Sequence, residues 1–160
     1  MNHTAQNQLE ELASVIRDLT DTANRISHSE EAKAEAASQN RHELLDGFIQ
    51  EEQAYILKLR GLEQRRLRLL ESLGWKSLTF RQVLEQADPS QKELLSPLFF
   101  ELETQLKRLE NARKASEQII GVRLHELQIS IAKAQGSSYD NSGNVNLNAP
   151  SHAKLRDKYV

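Results

Sequence analysis

Residues 9–26 read LEELASVIRDLTDTANRI, and their spacing sets the fold class. Leu9, Leu12, Ile16, Leu19, Ala23 and Ile26 follow one another at intervals of 3, 4, 3, 4 and 3 residues. That alternation places all six on one stripe of an α-helix, as in a coiled-coil seam. No Gly or Pro interrupts the pattern, and the Ala-rich stretch 30–37 keeps helix propensity high. The spacing predicts a first helix over about residues 4–37. The residues 38–40, Ser-Gln-Asn, mark the break. A helix continuing to residue 73 would be about 100 Å long, too long for a compact domain, so a hairpin is expected instead.

Beyond the break the helical period resumes. Leu45, Phe48, Ile49, Tyr55, Ile56, Leu59, Leu62, Leu69, Leu70 and Leu73 define a second helix, with Gly74 as its stop. Glu52 and Arg66 fall in the same stripe. Burying either is costly unless it is paired, so this face is open there or meets charged partners across the bundle. Trp75, Leu78 and Phe80 are placed to plug the end of the hairpin. Thr79 and Gln82 fit a capping box that opens a short helix ending near Ala87. Asp88-Pro89 then opens a long helix, with Asp as cap and Pro in the first turn. Its seam runs through Leu95, Leu98, Leu102, Leu106 and Leu109. Ile119, Ile120, Leu124, Leu127 and Ile131 carry it to about Lys133, before Gly136. The expected fold is all-α: an elongated antiparallel bundle of three long helices and one short connecting helix over residues 1–135. Residues 136–160, rich in Gly, Ser and Asn, are expected to be a flexible tail.

Composition narrows the function. In 160 residues, 38 % are hydrophobic and 28 % charged, which suits helices that each bury one stripe and solvate the rest. The net charge of −2 argues against a dedicated nucleic-acid binder. The densest basic stretch, KLRGLEQRRLR at 58–68, lies in a seam helix without interleaved aromatics, and reads as a solvated face with interhelical ion pairs. The absence of cysteine excludes disulfides, thiolate metal sites and cysteine nucleophiles. His3, His28, His42, His125 and His152 have no partners at metal-ligand spacing. The adjacent Glu51 and Glu52 point in different directions on a helix, and are expected to be solvated charges rather than an acid/base pair. No phosphate-binding glycine loop is present. These features predict no enzyme, no cofactor and no metal. The first residues lack a basic start and an apolar core, and no apolar run reaches membrane-spanning length, which predicts a cytoplasmic protein without membrane insertion.

One feature of the long helix exceeds what a fold needs. Ile119, Ile120, Val122, Leu124, Leu127, Ile129 and Ile131 point in too many directions for a single seam. Val122 and Ile129 lie off the line of Ile120, Leu124, Leu127 and Ile131. One set can pack inward while another receives a guest helix, though a homodimer seam or a third contact inside the bundle would use the same residues.

The order of several short stretches resembles the FlgN family, the flagellar export chaperones of hook-associated proteins. They are EEQAYI at 51–56, LEQRRLRLLESLG at 62–74, LTF at 78–80, LEN at 109–111 and YDNSG at 139–143. Lys114 stands where the family often repeats an asparagine. The resemblance implies a cytoplasmic chaperone that binds the C-terminal helices of hook–filament junction proteins, prevents their premature assembly and brings them to the type III export gate. On that reading Ile120, Val122, Leu124, Leu127, Ile129 and Ile131 hold the client helix. Tyr139 and Asp140 dock on an export gate component. An unloaded protein could cover its stripe by forming a homodimer. The competing expectations are a permanently dimeric coiled-coil adaptor without client release, and a Tyr139 that folds back on the bundle.

Overall fold

The computed structural model describes residues 3–135. The expected tail, with Tyr139 and Asp140, lies outside the described residues. Helix α1 spans His3–Ser38, α2 Leu45–Ser72, α3 Phe80–Gln86 and α4 Pro89–Gln135, and a 3-10 turn at His42–Leu44 precedes α2. Among the described residues there is no strand, and no helix is long and apolar enough to cross a membrane.

The helix ends follow from local chemistry. At the end of α1, Asn40 adopts φ 56, its N–H bonds to the Ala37 carbonyl and that of Arg41 to the Ala36 carbonyl. Gly74, at φ 81, ends α2 in the same way, with Gly74 N–H on Glu71 and Trp75 N–H on Leu70. Both are left-handed stops that satisfy two carbonyls of the last turn. Asparagine tolerates this region through its short polar side chain, which is why α1 can end without glycine. The Thr79–Gln82 capping box forms as the spacing predicts. A second one opens α4: Gln91 N–H donates to Asp88 Oδ1 at 2.8 Å, and Asp88 N–H donates to Gln91 Oε1 at 2.9 Å. Helix α4 runs through Pro97, which supplies no N–H to the turn before it.

Consecutive long helices run antiparallel, so α1 and α4 run the same way. Arg65 of α2 reaches Glu11 near the start of α1, and Lys33 near the end of α1 reaches Glu52 near the start of α2. Arg108 of α4 reaches Asn24 and Glu31, and Arg123 reaches the Ser38 carbonyl. Helix α1 is the central element. It packs on both α2 and α4, while no Cα of α2 comes within 8 Å of a Cα of α4. The quoted stripe is accordingly enclosed, with Leu12, Ile16 and Ala23 fully buried and Leu9, Leu19 and Ile26 nearly so. Leu59, Leu69 and Leu70 of α2 and Leu95, Phe99, Leu102, Leu106 and Leu109 of α4 complete the core. Trp75, Phe80 and Val83 close one end, where the Phe80 and Phe99 rings stack with centroids 4.2 Å apart. Arg66, expected to need a partner, is 3 % exposed, gives two hydrogen bonds to Glu63 and lies over the Phe80 ring. One charged partner of Arg66 is thus on its own helix, whereas Glu52 finds partners on α1 and α4.

Candidate functional site: the unpaired end of the long helix

The other end of the bundle is open. Arg123 donates to the carbonyl of Ser38, the last residue of α1, at 3.1 Å. The twelve residues 124–135 therefore continue α4 past the end of its central partner, a projection of about 18 Å at 1.5 Å per residue. The mismatch is built into the helix lengths: α1 has 36 residues, α2 has 28 and α4 has 47.

The apolar stripe of α4 also turns at this point. Down to Ile120, residues 95, 99, 102, 106, 109, 113, 116 and 120 alternate by 4 and 3 and face the bundle. The next seam position is Arg123, which is occupied at the end of α1. The apolar residues step instead to Leu124, Leu127 and Ile131. Two successive intervals of four rotate the stripe by about half a residue step, some 50°, away from α1. Val122 is 54 % exposed, Leu124 38 %, Leu127 49 % and Ile131 47 %. Ile119, Ile120 and Ile129 are half-buried, and none of the seven is fully enclosed. Of the expected client-binding residues, Val122, Leu124, Leu127 and Ile131 thus lie open, while Ile120 and Ile129 are partly shielded.

Helix α2 adds to the same end. Glu52 sits opposite Arg113, so Leu45 is level with Ile120 to within a turn. Leu44 and Ile49 are exposed there, with Leu45 and Phe48 half-buried. From Ser38 to Glu51 no residue is buried. The mouth of the bundle is therefore a loosely held strip of α2 beside an uncovered strip of α4. A stripe of aliphatic side chains at 4 and 3 spacing is the half of a helix–helix seam that lacks its partner.

Below this mouth, past the buried Ala36 and Ala37 of α1, the buried layer is charged. Glu30 is 1 % exposed and Glu52 4 %, and both occupy seam positions of their helices. Lys33 Nζ lies 3.1 Å from Glu30 Oε1 and 2.8 Å from Glu52 Oε2. Arg113 stands 3.8 Å from Glu52 and 3.7 Å from Glu117, and the buried Ser116 belongs to the same layer. The two carboxyls are brought together by the one lysine, which contacts both. Burial, with the hydrogen bond to Glu30, pushes the Glu52 carboxyl up to about 7. Burial also acts against the ionised Glu30, but the hydrogen bond from Glu52 and the charge of Lys33 outweigh it and hold that carboxyl below its ordinary range.

Among the described residues there is no cluster of three or more His, Cys, Asp or Glu suited to a metal. A cleft of about 370 Å³ at the closed end is lined by Glu63, Arg66, Leu67, Leu70, Leu78 and Thr79, and its one cation is already bound to Glu63. Within the basic stretch 58–68, Arg65 pairs with Glu11 across to α1 and Arg66 with Glu63. Comparison of the chain with protein-family models, curated proteins and solved structures finds no match.

Proposed function

We propose that the protein is a non-catalytic export chaperone of the FlgN type, which holds an amphipathic helix of a client against the end of α4. The observation that carries this reading is the uncovered stripe Val122, Leu124, Leu127 and Ile131 on a helix that outruns its own bundle. The clients are the hook–filament junction proteins, whose C-terminal helices pair with one another when left free. Four aliphatic side chains contribute roughly 1.5–3 kcal/mol each on full burial, and less from a half-covered start. Ordering the guest and losing its free motion offsets much of that. The four residues alone leave little net gain, so the expected affinity is at the micromolar end, about −8 kcal/mol, and is reached when the guest also covers the exposed Leu44 and Ile49 at the same end.

Calorimetric titration of the full chain with the C-terminal helical segment of a junction protein tests this reading. Saturable binding in that range supports it, and no binding at about 100 μM refutes it. The same stripe could serve a permanent dimer, as a structural adaptor requires. Light scattering separates the two, because a chaperone's dimer dissociates when client is added and an adaptor's does not.

The second part of the proposal concerns Tyr139 and Asp140, which would dock on the export gate. An aromatic anchor in a polar segment can bind at modest affinity and release readily. Tyr139→Ala is expected to leave client binding unchanged while export of the client falls several-fold. Equal loss of both would instead indicate that Tyr139 supports the bundle.

A further inference from the structure

We propose that Glu30 and Glu52 form a proton-operated latch at the mouth of the bundle. With one proton between the two carboxyls the first turns of α2 stay docked. With both ionised that end of α2 lifts and opens the space beside the α4 stripe. The opening needs no client, but its use in admitting one rests on the function proposed above.

Position is the first argument. Glu52 is the first buried residue of α2, and no residue from Ser38 to Glu51 is buried. The next buried position on α2 is Leu59, two turns further on. Glu52 is therefore the one fully buried side chain that holds the start of α2, beside the half-buried Leu45 and Phe48. A leucine there would clamp the end permanently. A carboxyl clamps it conditionally.

The second argument is the inventory around that carboxyl. From α1 it meets Glu30 and Lys33, and from α4 it meets Arg113, with Ser116 in the same layer. Lys33 is shared between the two carboxylates, and Arg113 is shared with the exposed Glu117. Glu30 Oε2, Glu52 Oε2 and Ser116 Oγ are buried without a formed hydrogen bond, although Lys33 Nζ stands 2.8 Å from Glu52 Oε2. A proton on Glu52 satisfies the pair, since a protonated carboxyl donates and an ionised one can only accept. Removing that proton puts a second negative charge on the one lysine the pair shares, with Arg113 only at 3.8 Å and burial acting against it.

The sign follows from the direction of the shift. Glu52 binds its proton more tightly in the fold than in the unfolded chain, so its contribution is fully present below the ordinary glutamate range. That contribution is lost as pH rises through about 7. Glu30 is shifted the opposite way, which keeps the pair at one proton rather than two near neutrality. Such a latch is closed in mildly acidic solution and loosens in mildly alkaline solution.

Hydrogen exchange of the full chain, read by peptide mass spectrometry between pH 5.5 and 8.5 and corrected for intrinsic exchange rates, tests the latch without any client. Protection over residues 42–56 is expected to fall at least tenfold across that range, while residues 59–70 keep theirs. Glu52→Gln donates a hydrogen bond at every pH and should abolish the fall. Glu30→Gln, which removes the opposing charge, should do the same. The proposal is overturned if residues 42–56 in the wild type show no excess loss over 59–70. It is also overturned if the two variants retain the pH dependence of the wild type.

Discussion

Ile16→Ala lowers the free energy of unfolding by about 2–5 kcal/mol, measured by urea denaturation followed by helical circular dichroism. Ile16 is fully buried at the middle of α1, the helix that both α2 and α4 pack against. Truncating it removes packing between α1 and its neighbours and leaves a cavity that three long helices cannot easily collapse around. A domain of this size has about 5–15 kcal/mol in total, so the variant approaches the edge of folding at physiological temperature. Leu127→Ala, a comparable loss of aliphatic volume, is expected to change stability by about 0.5 kcal/mol or less, because Leu127 is 49 % exposed. The contrast matters more than either value. It separates the aliphatic residues that make the fold from those the fold leaves over. A loss below about 1 kcal/mol for Ile16→Ala would mean that α1 is not the central helix.

The second large effect falls on the surplus residues. Leu127→Asp combined with Ile131→Asp is expected to weaken client binding a hundredfold or more, with the helical circular dichroism signal and thermal stability retained. Both positions lie on the projecting part of α4, beyond the contact of Arg123 with the end of α1, so the carboxylates meet water in the free protein. In the complex they would have to be buried against the apolar face of a guest helix. That arrangement loses the hydrophobic gain and adds the cost of desolvating two charges. A single rim charge would do far less. Binding that survives the double substitution would remove the stripe from the account and move the search to the exposed Leu57 and Leu67 of α2.

Much of this architecture could be read before any coordinates. The 3-and-4 spacing of Leu9 to Ile26 marked α1 as a seam helix, and the Thr79–Gln82 box and Asp88-Pro89 marked the start of α3 and α4 within a residue. The excess of aliphatic residues after Ile119 was visible as well, since a single stripe has no place for so many. Three things were not legible. The sharp stop at Asn40 carries only a weak signal, because asparagine in the left-handed region looks like any other polar residue in a sequence. Glu52 and Arg66 were conspicuous in the α2 stripe, but their partners belong to tertiary packing. Arg66 turned to Glu63 on its own helix, and Glu52 turned to Lys33 and Arg113 on two others. The polar layer was therefore missed as a unit, although Glu30 and Lys33 continue the α1 spacing by one further heptad. Lastly, which of the seven aliphatic residues would remain uncovered depended on where α1 ends relative to α4, a matter of register that periodicity alone leaves open.

The polar layer and the open stripe are adjacent and, under the two proposals above, act as one device. The apolar lower part of the bundle is a rigid stem. Above Glu30 and Glu52 the packing thins to alanines on α1, half-buried residues on α2 and the bare stripe of α4. Cooperative units of unequal stability within one domain are usual, and binding elements come from the less stable ones. A start of α2 whose one fully buried side chain is ionisable is suited to move without unfolding the stem.

The most direct test is a hydrogen-exchange footprint of the full chain with and without a saturating junction-protein C-terminal helix. The account predicts new protection confined to residues 119–132 of α4 and 42–50 at the start of α2, with the rest of the bundle unchanged. Protection centred on residues 57–68 of α2 instead, or a bound client that leaves residues 119–132 as exchangeable as before, would contradict it.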